Sequence, residues 1–256
     1  MSAPQTNWLV LPTYQEAENL DAIVATSLAH LPRPRRILIV DDNSPDGTGE
    51  IAEHIAAERE EVFVLHRPRK EGLGRAYVAG FRAALAGGAD LVLQMDADFS
   101  HDPADLPRLV EAAEYADVAL GSRYVPGGGT VNWGPLRRAI SRGGSAYARR
   151  VLGVDVRDLT GGFKCFRRQV LQELDLDSMR AHGYAFQVET TYRALQAGFR
   201  VAEVPITFRD RRVGESKMSK AILAEAIWRV PAMRLQRPRR FRAARPAGPH
   251  SRPGAV

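Results

Sequence analysis

Short apolar runs alternate with helical patterns through the first half of the chain, and those runs carry no polar face. "ILIV" (37–40) and "LVLQM" (91–95) lack the apolar–polar alternation of a half-exposed strand. A strand of that kind is stable only when both faces are covered. The order is regular: strand 7–12, helix 16–31, strand 35–40, helix 46–60, strand 61–66, helix 72–88, strand 90–95, helix 103–115, strand 117–123. This alternation predicts an α/β domain with a largely parallel central sheet flanked by helices. In such sheets ligands bind beyond the carboxyl ends of the strands.

Past residue 123 the pattern loosens. A Gly-rich loop (124–134) precedes a predicted helix (135–153). A turn, a short strand and a helix occupy 158–174, then a helix 184–198 and a strand 200–208. Ile222, Leu223, Ala226, Ile227 and Val230 fall on one side of a closing amphipathic helix. That helix packs on the domain in one reading and lies in a membrane interface in the other. The division expected is an N-terminal tail 1–6, a catalytic domain 7–220, an amphipathic helix 221–235 and a tail 236–256. There is no internal repeat.

Charge is concentrated at the end. The net charge is +6, yet residues 234–252 hold seven arginines and no acid, leaving the rest near neutral. Three readings stay open for this Pro-, Ala- and Gly-rich stretch: a solvated end, an anchor to anionic lipid, or a nucleic-acid contact. The lone Cys165 excludes an internal disulfide and fits a reducing compartment. No secretory leader and no apolar run long enough to span a bilayer is visible.

The chemistry concentrates in the loops after strands one, two, four and five: "PTYQEAENL", "VDDNSPDGT", "MDADFSHDP" and "GSRY". Asp96 and Asp98, read at a strand end, would point to one side. At a separation of about 6 Å they would repel by roughly 3 kcal/mol at an effective dielectric near 20. An acidic turn capping the next helix is one explanation. A hard divalent cation, Mg²⁺ or Mn²⁺, is the other. Asp102 with Pro103 already supplies the cap, so Asp96 and Asp98 are not needed for it. His101 stays open between a structural role, which is favoured, and a functional one. Ser44, Asp46 and Thr48 suit a turn and cap, which leaves the pair Asp41 and Asp42 less well explained. "GLGRAYVAG" does not complete a dinucleotide fingerprint, no phosphate-loop lysine motif is present, and no zinc spacing exists.

Taken in order, "LPTYQEAENL", "VDDNSPDGT", "GLGRAYVAGF", "QMDADFSHDP", "GSRYVPGG", "DLTGGFKCFRR" and "FRDRRVGESKMS" resemble the dolichyl- or polyprenyl-phosphate mannosyltransferases. Those are inverting glycosyltransferases of GT-A family 2. The resemblance spans residue 8 to about 220. It implies a GT-A fold, GDP-mannose as donor, a polyprenyl phosphate as acceptor and a divalent cation. By motif it implies Pro12, Tyr14, Glu16, Val40 and Asp42 as nucleotide contacts. Asp96, Ala97 and Asp98 would meet diphosphate and metal, with Ser100 a weaker metal ligand. Arg211 and Lys217 would contact the donor phosphates, while Arg123 and Arg137 would meet the acceptor phosphate. The catalytic set is then Asp96, Asp98, Arg123 and Arg211. Relatives often carry C-terminal membrane helices, so attachment here, at the cytoplasmic face, would fall to the tail, the amphipathic helix or a partner protein. Two rivals remain: the same chemistry from UDP-glucose, and a nucleotidyltransferase, which the acidic, glycine-free first loop disfavours. A non-enzymatic adaptor would tolerate loss of Asp98. Nucleic acid is not an expected partner.

Overall fold

The computed structural model describes residues 5–179, 183–210 and 220–235; the side chains of Tyr184 and of residues 220–227 are not among the described parts. The first half follows the predicted order: β1 (Asn7–Thr13), α1 (Leu20–His30), β2 (Arg35–Asp41), α2 (Thr48–Glu58), β3 (Val62–His66), α3 (Leu73–Ala86) and β4 (Leu91–Gln94). A 3₁₀ turn then leads into α4 (Leu106–Ala112) and β5 (Val118–Ser122). The second half adds β6 (Gly129–Val131), α5 (Pro135–Leu152), β7 (Lys164–Arg167), α6 (Arg168–Glu173), α7 (Gly183–Gln196), β8 (Val201–Pro205), β9 (Thr207–Arg209) and α8 (Lys220–Leu235).

Seven strands form one sheet in the order β3-β2-β1-β4-β7-β5-β8. All pairs are parallel except those of β7, which runs antiparallel between β4 and β5. This one reversed strand delivers the 158–163 turn to the same rim as the end of β4. The predicted strand 200–208 proves to be two. β8 closes the main sheet, while β9 leaves it after Pro205 and pairs with β6 in a separate ribbon. The predicted helix from residue 16 begins four residues later, at Leu20.

Two apolar layers sandwich the sheet. One joins α3, α5, α7 and the described end of α8 to alternate strand residues, with Tyr77, Phe81, Phe166 and Phe186 at its centre. The other joins α1, α2 and α4 through Leu20, Ile23, Ile55, Leu106 and Leu109. Val230 and Met233 of α8 are buried in the first layer, whereas Trp228 and Leu235 are largely exposed. The positions at 222, 223, 226 and 227 lie outside the described side chains. No described helix is long and apolar enough to cross a membrane.

Pro12 sits in a central strand, where a missing N–H normally breaks a ladder. Here the β1–β4 ladder ends at Val10 and Gln94, and Met95 N–H donates to Val10 O. Pro12 faces the same side, beyond the last rung, so no donor is lost. At Gly80 the fit of α3 on the sheet is tighter still. A Cβ there would lie 2.4 Å from Val10 Cγ1 and 3.0 Å from Val40 Cγ2. Gly80→Ala should therefore lower stability by about 1–3 kcal/mol despite its better helix propensity. Gly143→Ala in α5, where nothing lies within 4 Å, should raise it by roughly 0.4–1 kcal/mol. Denaturant melts of the two variants check this contrast.

Candidate active site

The rim above the strand ends carries three non-glycine residues with positive φ: Gln15 after β1, Asn43 after β2 and Phe99 after β4, at 58°, 58° and 57°. A bulky phenylalanine there is strained, and such strain concentrates at functional loops. Phe99 turns the chain between Asp98 and Ser100. β4 ends at Gln94, so Asp96 and Asp98 occupy the bend beyond it rather than the strand itself. The strand argument for their shared direction is thus replaced by a turn. In it, Asp98 is buried and accepts the Ser100 N–H at 3.0 Å.

Asp96 accepts a hydrogen bond from Tyr77 Oη at 2.9 Å. Burial, reinforced by Asp96, holds the Tyr77 phenol well above its ordinary pKa, so it stays a donor. Ser100 Oγ is buried and has no hydrogen-bond partner among the described residues. The oxygen-only set of two carboxylates and this hydroxyl fits a hard cation. No group of three or more His, Cys, Asp or Glu side chains is assembled as a metal cage among the described residues. A cation seated here would therefore complete its shell with substrate phosphates and water, as Mg²⁺ commonly does.

On the other side, Asp42 pairs with Arg67, which also bridges to Glu71. Burial pushes the Asp42 carboxyl above its ordinary range against the pull of Arg67. Asp41 is buried and accepts Ser44 Oγ at 2.6 Å. Asp46 binds the backbone N–H and hydroxyl of Thr48 as predicted, at 3.2 and 2.6 Å. It also reaches Ala17 N, tying the first loop to the second. Glu16 receives the Asn19 amide at 3.0 Å, and Lys70 Nζ stands 3.6 Å from the centre of the Tyr14 ring. Tyr14, Glu16 and Asp42 thus share one edge of the rim. The side chain of Val40 is fully buried in the α3-side layer. Pro12 and Ala97 are buried as well.

Arg123, expected to meet a phosphate, is enclosed. It is 4% exposed, and its Nε and Nη2 donate to Asp158 at 2.7 and 2.6 Å. Its backbone N–H and Thr160 complete the clasp. The guanidinium lies within 5.6 Å of the ring centres of Tyr124, Trp133 and Phe208. Phe208 in turn packs edge-on to His101, which also touches Phe163. Burial lowers the His101 pKa to about 4, so it is neutral. Through these rings Arg123 braces the acidic turn. Arg137 sits at the periphery, 2.7 Å from Asp210 and stacked 4.4 Å over Trp133. Arg211 and Lys217 lie outside the described residues.

Sequence reasoning missed the polar core behind the turn. Lys164 is completely buried; its Nζ donates to Gln187 O, Gln187 Oε1 and Thr190 Oγ1 at 2.8, 3.0 and 3.0 Å. Three acceptors match the three ammonium hydrogens, while burial pulls its pKa down to about 7. Gln94 joins the network through Gly162 O and Gln187 Oε1. A signal existed: Gln94 and Lys164 are polar residues at the rim ends of two buried central strands.

Residues 8–175 match the family model described as Glycosyl transferase family 2. The chain is 48% identical over 221 residues to the undecaprenyl-phosphate mannosyltransferase of Micrococcus luteus, covering 86% of this chain and 90% of that protein. It is 46% identical over 228 residues to the polyprenol monophosphomannose synthase of Mycolicibacterium smegmatis, covering 88% and 86%. Among solved structures, glucosyl-3-phosphoglycerate synthase from Mycobacterium tuberculosis, in complex with Mn²⁺, uridine diphosphate and phosphoglyceric acid, superimposes with a TM-score of 0.67. The identity there is 20%, over 90% of this chain and 78% of that one. The same enzyme with Mg²⁺ and uridine diphosphate gives 0.66 at 21% identity, over 90% and 79%. That likeness is one of fold.

Removing one partner of a buried ion pair strands the other charge. Asp158→Ala should cost on the order of 3–5 kcal/mol, read as a fall in denaturation midpoint. Lys164 makes a prediction of opposite kind. Its folded pKa lies below that of the unfolded chain, so the unfolded state binds more protons between about pH 7 and 10. Stability should then rise with pH across that window. Lys164→Met should remove that slope in urea melts run across the same range.

Proposed function

The chain belongs to glycosyl transferase family 2, and on that premise we propose that it moves mannose from GDP-mannose to a polyprenyl phosphate, releasing GDP and forming a β-linked mannosyl-phosphoryl-polyprenol. The observation that carries this reading is the 46–48% identity, over 86–88% of this chain, to a named undecaprenyl-phosphate mannosyltransferase and a named polyprenol monophosphomannose synthase. A divalent cation held by Asp96 and Asp98, with Ser100 Oγ beside them, supplies charge that neutralises the diphosphate and stabilises GDP as leaving group.

The residues do the rest by position. Tyr14, Glu16 and the Asp42–Arg67 pair line the edge where the nucleoside sits. Tyr77 fixes Asp96 from behind, and Asp98 is fixed by the turn it caps. The attacking atom is a phosphate oxygen of the lipid, ionised already at neutral pH, so no strong general base is required. Arg137 is placed to meet that phosphate by exchanging its contact with Asp210. Arg123, held by Asp158, acts as a positioning residue that sets the Trp133–Phe208 wall beneath Arg137. Arg211 and Lys217 are assigned to the donor phosphates by motif alone; closure of their loop would exclude water. Arginine's planar fork suits both phosphate groups. Displacement from the back face of the α-linked donor inverts the anomeric carbon.

Peripheral attachment to the cytoplasmic face of a membrane fits the surface beside Arg137. Helix α5 contains five arginines and no acid, and exposes Leu136, Ile140 and Tyr147. Trp228 and Leu235 of the neighbouring α8 are exposed too.

The test is transfer of labelled mannose from GDP-mannose to a polyprenyl phosphate in detergent. Activity should fall by roughly a hundred-fold or more with chelator and return with Mg²⁺ or Mn²⁺. Asp98→Asn should lose roughly a hundred-fold or more in kcat while keeping its melting temperature within a few degrees. Preference for UDP-glucose, or release of pyrophosphate, would contradict the donor assignment.

A further inference from the structure

Gln187 stands near the start of α7 and is 3% exposed. Its amide orientation follows from what binds its oxygen. Oε1 accepts from Gln94 Nε2 at 2.8 Å and from Lys164 Nζ at 3.0 Å. The Gly162 carbonyl, 2.7 Å away, fixes Gln94 Nε2 as a donor, so a flipped Gln187 amide would set donor against donor. The amide nitrogen is thereby turned the other way, towards Gly162. A Cβ on Gly162 would lie 3.5 Å from Gln187 Nε2, 3.7 Å from Asp96 Oδ2 and 3.7 Å from His101 Cε1. The missing side chain leaves a notch with a neutral donor on one wall and a carboxylate on another. Among the described residues no acceptor takes the Nε2 hydrogens, and Nε2 is not among the sealed, unsatisfied atoms of the interior.

We propose that Gln187 is a sugar-orienting residue: its Nε2 donates a hydrogen bond to one hydroxyl of the transferred hexose, seated in the Gly162 notch beside Asp96. A hydroxyl satisfies both walls at once, accepting from the amide and donating to the carboxylate. An anion would be repelled by Asp96. Lys164 and Gln94 are positioning residues that hold the amide in register. Their network ties the notch to the backbone at Gly162, so the sugar pocket and the acidic turn move as one piece. The inference rests on the sugar-nucleotide reading above and names the residue that reads the sugar.

The test pairs the wild type with Gln187→Leu and Gln187→Glu on GDP-mannose and on its singly deoxygenated analogues. The glutamate variant keeps the size of the side chain and an oxygen for Lys164 but has no N–H to give. In the wild type, one analogue should lose roughly ten- to a hundred-fold in kcat/KM. In both variants GDP-mannose itself should lose a similar factor, and the same analogue should lose nothing further. Affinity for GDP, which has no sugar, should be unchanged in Gln187→Leu, which adds no charge beside Asp96. Equal penalties for every analogue in wild type and variants would overturn the proposal, as would loss of GDP affinity matching the loss of activity. A wild type that transfers no sugar at all would overturn the functional reading beneath it instead, and this inference with it.

Discussion

Two carboxylates in the bend beyond a central strand, Asp96 and Asp98, set the terms for the rest of this molecule. Without a cation they would repel a diphosphate. Tyr77 donates to Asp96, and the Ser100 N–H donates to Asp98 within a turn strained at Phe99. With the buried Ser100 Oγ beside them the two carboxylates form an oxygen-only set that suits a hard cation, whose remaining shell substrate phosphates can fill.

The reversed strand β7 explains how the support for that turn is built. A parallel strand in its place would bring its amino end to the opposite rim and could not present the residues just before Lys164 beside the end of β4. Running antiparallel, β7 places Gly162 against Gln94 and sends Lys164 into the layer beneath α7. Farther along the rim, Arg123 and Asp158 are paired away from solvent, with three aromatic rings about them. The buried charges near the site are thus divided. One lysine is solvated by uncharged oxygens, and one arginine is neutralised by an acid. Both arrangements favour a fixed geometry over raw stability, since buried ion pairs contribute little net free energy.

Much of this was legible from residue types. The parallel sheet followed from apolar runs, and the rim from where Asp, Tyr and Arg fell relative to them. The cap at Asp102 and the turn at Asp46 followed from helix-start chemistry, and both are present. What local pattern could not carry were facts of tertiary pairing. The split of 200–208 into β8 and β9 depends on a partner strand distant in sequence, with Gly129 opposite Thr207. Nothing local marks Asp158 as the partner of Arg123, and nothing local marks Val40 as a packing partner of α3. Tyr77 has a side chain that lies in the apolar layer while its hydroxyl reaches Asp96, a contact no local pattern marks.

Calorimetric titration of GDP into the protein, with and without Mg²⁺, tests the core of the account most directly, because it needs neither lipid nor turnover. If the acidic turn grips the diphosphate through a cation, affinity should drop by roughly ten-fold or more when divalent ions are removed, and Asp96→Asn should abolish the cation's benefit. Equal affinity in both conditions, or a cation effect that survives loss of Asp96, would contradict it.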